Sequence, residues 1–314
     1  MATLTGWAAS ARTSVRLSVA RGHDGGVNPG LPTLPIRDER VRRIALSAAK
    51  GGGGLLGVGT AIAGAAIGVI VVQATLARRA IGPRRTVPPY ADGRYYPVGE
   101  RTGTSLRLAV LGDSGAAGLG ADDADSTPGA VIAAELAAGA DRTVVLSNVA
   151  VVGARSSDLA AQVDRVLVVR PHVAVIMIGA NDVTHLVRPQ DSVRHLADAV
   201  RRLRSAGTEV VVGTCPDLGT VRPFAPPLRQ VARRMSRELA AAQSIAVRDA
   251  GGRPVALAQI LGEVFDAEPG RFFSADRFHP SAAGYLACAH ALLPEVRAAV
   301  GLVPDEARPA LPSA

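Results

Sequence analysis

Three features of the chain predict an α/β fold: a parallel sheet covered by helices on both faces, preceded by a single transmembrane or signal-anchor helix. Between residues 106 and 300, short apolar runs of strand length alternate with segments whose apolar residues recur at helical spacing. Of the 314 residues, 48% are hydrophobic, so a sizeable core forms without metals or disulfide staples. The run 51–77, GGGGLLGVGTAIAGAAIGVIVVQATLA, carries no charge and exceeds the roughly 20 residues that cross a bilayer core.

Residues 1–50 are polar and aperiodic, and are expected to be a flexible leader. The run 51–77 lacks the polar stripe of a soluble helix. Gly57 and Gly59 suggest a nucleotide loop, but Ile62 stands where a third glycine belongs. Within about fifteen residues of the run, the N-terminal side carries Arg37, Arg40, Arg42, Arg43 and Lys50. The C-terminal side carries Arg78, Arg79, Arg84 and Arg85. Five against four slightly favours an inside N-terminus, with the following domain extracytoplasmic and membrane-anchored. Cleavage after Thr75-Leu76-Ala77 is the alternative and yields a secreted domain. Arg42-Arg43 followed by Ile44, Ala45 and Leu46 faintly resembles a twin-arginine signal, which also exports it.

Residues 78–104 read as a Pro/Gly/Arg linker in which Tyr90, Tyr95 and Tyr96 can pack. The domain proper spans 105–302. Its first strand is Leu106–Leu111, and Thr127 caps a helix with Pro128 at its first position. A second strand covers Thr143–Ala150, and a helix after Ser156-Ser157-Asp158 turns Leu159, Val163, Val166 and Leu167 inward. Val173–Ile178 is apolar throughout, as in strands buried on both faces. The helix 191–206 ends at Gly207, and a fourth strand follows at Glu209–Gly213. Leu228, Val231, Met235 and Leu239 mark another helix. After a long loop, Ser281 opens the last helix toward Val300, and residues 303–314 form a loose tail.

The net charge of +8 is carried almost entirely by dispersed arginines, with Lys50 the only lysine. Aromatics make up 3% of the chain, too few for a base-stacking surface, so nucleic acid is excluded as a partner. Cys215 and Cys288 lack the spacing of a zinc site, and two buried thiols are expected. No metal and no cofactor is expected.

In open α/β sheets, ligands bind beyond the carboxyl ends of the strands. There the sequence sets Gly112, Asp113 and Ser114, then Gly153 and Arg155, then Gly179 to Asp182, then Thr214 to Asp217. Asp276, Arg277, Phe278, His279 and Pro280 precede the last helix. A serine hydroxyl attacks at neutral pH only if a base takes its proton, and His279 is the natural base for Ser114. Asp276, three residues upstream, suits the other ring nitrogen, and Pro280 holds His279 extended. The oxyanion of such an attack needs donors: the N–H groups of Ser114 and Gly153, and the Asn181 amide. Asp113 and Asp182 read as structural, bonding backbone in their loops. Gly115 and Gly118 leave room for an acyl group beside Ser114. A phosphate-loop reading of Gly112–Gly120 lacks the Lys-Ser/Thr that chemistry requires.

The blocks Gly112-Asp113-Ser114, Gly153, Gly179-Ala180-Asn181-Asp182 and Asp276-Arg277-Phe278-His279-Pro280 resemble those of the SGNH (GDSL-type) hydrolases in order and spacing, over about 106–300. Gly115 departs from the leucine in the family's name. The resemblance implies a flavodoxin-like α/β/α sandwich and a serine esterase. It makes Ser114 the nucleophile, His279 the base, Asp276 its orienter, and Ser114, Gly153 and Asn181 the oxyanion hole. The expected partners are a small-molecule or lipid acyl ester and, through 51–77, a membrane. The alternatives are a deacetylase of cell-envelope glycans or a thioesterase on the same triad, and a non-catalytic membrane-anchored acyl-ligand binding protein. Acyl selectivity is expected from loops 115–127, 182–191 and 214–228.

Overall fold

The computed structural model describes residues 68–77, 79–81, 87–97 and 104–302. The leader 1–50, residues 51–67 of the apolar run and the tail 303–314 lie outside the described residues. Residues 68–77 and 79–81 are helical. Among the described residues no helix is long and apolar enough to cross a membrane. Residues 68–77 contact the domain. Ala77 is buried in the core, and the Gln73 amide donates to the Pro226 carbonyl at 2.6 Å and accepts from Leu228 N–H at 3.0 Å.

The strands are β1 (Gly93–Tyr95), β2 (Leu106–Gly112), β3 (Val144–Asn148), β4 (Val173–Met177), β5 (Glu209–Gly213) and β6 (Arg253–Val255). They form one sheet in the order β1-β3-β2-β4-β5-β6. β2 to β6 run parallel, whereas β1 pairs with β3 antiparallel, so the sheet is mixed and not wholly parallel as expected. β1 falls in the expected linker. Its three residues are too short to show alternation, and it is tied down from outside its ladder. The Tyr95 hydroxyl donates to Ala91 O at 2.7 Å, and Asp92 accepts from Asn148 N–H at 2.7 Å. β6 was masked by Pro254, which is tolerated at the sheet edge.

The helices are α1 (Ser114–Ala117), α2 (Pro128–Ala140), α3 (Leu159–Leu167), α4 (Ala180–Thr184), α5 (Pro189–Ser205), α6 (Leu228–Asp249), α7 (Leu257–Ala267), α8 (Pro269–Phe272) and α9 (Ala282–Ala299). Thr127 and Ser281 cap α2 and α9 by accepting from Ala130 and Gly284 N–H, as their sequence positions predict. α7 and α8 occupy the expected long loop.

Strand alternation divides the core. Leu108, Val110, Val175 and Val211 face a layer containing α2 and α9, while Ala109, Leu111, Ile176 and Val212 face α3 and α5. The chain leaves β2 toward β3 and then crosses to β4 on its other side. This reversal opens a crevice at the carboxyl end of β2, where α/β sheets bind ligands.

Candidate active site

Ser114 begins α1 at that crevice. A sharp turn delivers it: Gly112 has φ +137°, and a Cβ there would lie 1.9 Å from the Met177 carbonyl oxygen. No other residue fits. Asp113 caps α1 by accepting from Gly115 N–H at 2.9 Å, which is the structural role its sequence predicts. Burial pushes the Asp113 carboxyl up to about 6, opposed by that hydrogen bond.

The loop before α9 brings the base to the serine. Phe273 and Pro280 form an antiparallel bridge, and Ser274 N–H donates to His279 O at 2.8 Å, so His279 sits on extended backbone. Its Nε2 lies 3.0 Å from Ser114 Oγ and its Nδ1 lies 2.5 Å from Asp276 Oδ2. Asp276 Oδ1 accepts from Ser274 Oγ and from the N–H groups of Phe278 and His279. Burial alone would raise the Asp276 pKa. The hydrogen bonds from His279 and Phe278 outweigh it and bring the carboxyl to about 2. A permanent carboxylate at Nδ1 keeps the proton there, leaving Nε2 to accept from the serine.

Gly153 takes φ +87° in the loop after β3, a left-handed conformation that favours glycine. Among the described residues neither its N–H nor that of Ser114 has a backbone acceptor. The Asn181 amide donates one of its two N–H bonds to Ala154 O at 3.0 Å, which ties it to the Gly153 loop and leaves the other N–H for a ligand. Asp182 accepts from Ser156 Oγ at 2.9 Å and from Ser156 N–H, and Ser156 Oγ also meets Ser192 Oγ at 2.9 Å. Burial raises the Asp182 pKa and the Ser156 donors oppose the rise. The structure therefore brings together a hydroxyl, an imidazole and a carboxylate, with Asn181 tied to the loop that carries Gly153.

Two buried glutamines were not foreseen. Gln162 of α3 clamps the end of β2, accepting from Gly112 N–H at 2.8 Å and donating to Gly112 O at 2.9 Å. Gln243 of α6 accepts from Cys215 N–H at 2.7 Å and donates to Ile178 O at 3.1 Å, joining the ends of β4 and β5. The sequence signal for Gln162 was its place among Leu159, Val163 and Val166 on an otherwise apolar face. Cys215 and Cys288 are free and buried, and burial raises the pKa of both thiols, Cys288 to about 12.

Beside Ser114 opens an apolar cavity of about 110 Å³. Leu218 and Val221 form one wall, Leu257, Leu261 and Phe265 of α7 a second, and Phe278 part of the rim. Loop 214–228 contributes as expected, but no residue of 182–191 lines the cavity, and α7 supplies the share that was not expected. Gly118 is not acyl space either: it ends α1 at φ +82°, and a Cβ there would meet Thr127 at 2.6 Å. Asp217 also lines the cavity and is itself buried, 2.7 Å from Arg237 and 3.4 Å from Arg233.

A serine hydroxyl, an imidazole and a carboxylate in line at the switch point of a doubly covered sheet form the arrangement that serine hydrolases of the α/β/α class use. Residues 110–287 match the GDSL-like Lipase/Acylhydrolase family, and the chain belongs to that family. It is 44% identical over 257 residues to the GDSL-like esterase Rv1075c of Mycobacterium tuberculosis, covering 79% of this chain and 82% of that protein. Two solved structures share the fold. The acetylxylan esterase Axe2 of Geobacillus stearothermophilus is 21% identical, over 65% of this chain and 98% of its own, with a TM-score of 0.50. LAE5, an alpha/beta hydrolase enzyme from the metagenome of Lake Arreo, is 20% identical over 66% and 100%, also with a TM-score of 0.50.

Proposed function

We propose that this ester hydrolase cleaves carboxylic acyl esters through a covalent acyl-enzyme on Ser114. His279 takes the hydroxyl proton as Ser114 Oγ attacks the carbonyl carbon, and returns it to the departing alkoxide. Water then attacks the acyl-enzyme, His279 again accepting the proton, and the acid leaves. Asp276 orients the imidazole and balances its charge while it is protonated. The N–H groups of Ser114, Gly153 and Asn181 stabilise the two oxyanions. The observation that carries this reading is the continuous contact from Asp276 through His279 to Ser114, at 2.5 and 3.0 Å.

The apolar cavity favours an acyl tail of a few carbons over an acetyl group on a sugar. An apolar cavity of roughly 150 Å³ takes up benzene, and this one is of the same order. The same reading anchors the domain outside a membrane through the part of the apolar run 51–77 that precedes the residues packed on the domain, supported by its freedom from charge and the arginine balance around the run. Protease treatment of intact cells checks it: a shielded domain rules out an extracytoplasmic one.

The deciding experiment is hydrolysis of a chromogenic butanoyl ester by wild type and Ser114→Ala. The variant should retain only the roughly 10³–10⁴-fold advantage over water that oxyanion donors and binding supply. Loss of fluorophosphonate labelling should accompany it. Full activity in Ser114→Ala overturns the reading.

A further inference from the structure

A second cavity, of about 360 Å³, adjoins the acyl pocket across the shared ring of Phe273. Its lining differs in kind, with Arg222 and Arg277 beside Ser274, Pro269 and Gly270. Arg277 stands in the loop between Asp276 and His279, at φ +59°. That left-handed conformation suits glycine and costs any residue with a side chain. The Arg277 N–H closes the turn on Ser274 O at 2.9 Å, a bond a glycine there makes equally well. The backbone thus gives no reason for an arginine.

Nor does the side chain earn its place through contacts within the chain. The Arg277 guanidinium is exposed and meets no carboxylate among the described residues. The carboxylates nearby are already engaged. Asp276 faces His279 and its backbone donors, and Asp266 is shared between Arg222 and Arg233, at 3.3 Å each. The cavity that shares Phe273 with the pocket beside Ser114 therefore carries the uncompensated charge of Arg277. We infer that Arg277, with Arg222, forms a subsite for a negatively charged group, a phosphate or carboxylate, on the alcohol half of the ester. An apolar acyl tail fills the first cavity, so the half that reaches the second is the alcohol. This inference rests on the proposed acyl chemistry at Ser114.

The test compares two esters with one acyl chain, 1-butanoylglycerol and 1-butanoylglycerol 3-phosphate, by titrating the butanoic acid released. Wild type should favour the phosphate ester in kcat/KM, mainly through KM, and the preference should shrink as ionic strength rises. Arg277→Gln should lower the ratio of phosphate to neutral ester roughly tenfold, the scale of one charge-assisted contact. Arg277→Gly should lower it as far while raising the thermal midpoint, because it also relieves the left-handed residue. Arg222→Gln should lower it less, since Asp266 already holds that guanidinium. Inorganic phosphate added to the neutral ester separates a free-phosphate site from one that reads the ester: weak competition, with the preference intact, supports the inference. A wild-type ratio at or below one, or a ratio unmoved in both Arg277 variants, overturns it. Acid release undiminished in Ser114→Ala would instead sink the triad reading, so the two failures are distinct.

Discussion

The two sides of Ser114 are built from opposite materials. On the side of the proposed oxyanion donors, polar side chains pin strand ends and the loops after them: Gln162 to Gly112, Asn181 to Ala154, Asp182 to Ser156. On the proposed acyl side, the cavity is walled mostly by leucine, valine and phenylalanine, with the buried Asp217 held by Arg237 and Arg233. Fixed dipoles cannot reorganise, so the first side suits a charge that appears only in the transition state. Apolar packing is non-directional, so the second suits a tail recognised by size. Rate should therefore respond to changes on one side and selectivity to changes on the other.

The largest effect tests the base that both sides share. Asp276→Asn keeps much of the geometry but lets Nδ1 lose its proton, so kcat should fall about 10⁴-fold on every acyl length alike. Steady-state kinetics on an acyl series would show it, and a loss confined to long chains would break the division. Asn181→Ala removes one oxyanion donor and should lower kcat by roughly 10²–10³ while the chain-length profile keeps its shape. A changed profile would mean that Asn181 also shapes the acyl site.

The polar side also carries a cost that pH exposes. Asp113 is buried with its carboxyl at about 6, against an ordinary 3.8. The folded state then binds its proton more tightly than the unfolded chain. That contribution is complete below about pH 4 and is lost as pH rises through 6, on the order of 3 kcal/mol. Asp276 acts in the opposite sense: lowered to about 2, it adds stability above pH 4 that disappears as pH falls toward 2. Asp113→Asn preserves the acceptor for Gly115 N–H and removes the titration. Urea melts at pH 4.5 and 7.5 should show the variant gaining on wild type at the higher pH. Equal differences at both would mean that Asp113 does not titrate there.

The same division explains what was legible in the sequence. The hydrogen-bonding side is written in residues with few substitutes: a glycine that a Cβ would drive into Met177, a serine at a helix start, an Asp and a His three apart. The glycine and the serine follow an apolar run, and the Asp and the His precede a capped helix, so element ends and site could be read together. The acyl side is written in ordinary core residues. Leu257, Leu261 and Phe265 are at helical spacing, which fits α7 as well as any buried helix, and nothing local says that they border a cavity. The edge strands were missed for a related reason. β1 and β6 are three residues each, and their strand character comes from neighbours far along the chain.

The smallest predicted effect is the sharpest on the acyl side. Burying a methylene is worth about 0.8 kcal/mol, so kcat/KM in wild type should climb roughly fourfold per added carbon until the cavity is full, then fall. Leu261→Trp fills part of that space from α7, far from the hydrogen-bonded network. Its optimum should move to a shorter chain, with the ratio of hexanoyl to acetyl hydrolysis dropping about tenfold or more. If the drop fell on acetyl and hexanoyl esters equally, Leu261 would be acting through Ser114 or His279, and the two sides would not be separable. If the optimum moved without a uniform loss, acyl length would be set by α7, a helix that carries none of the family's signature residues.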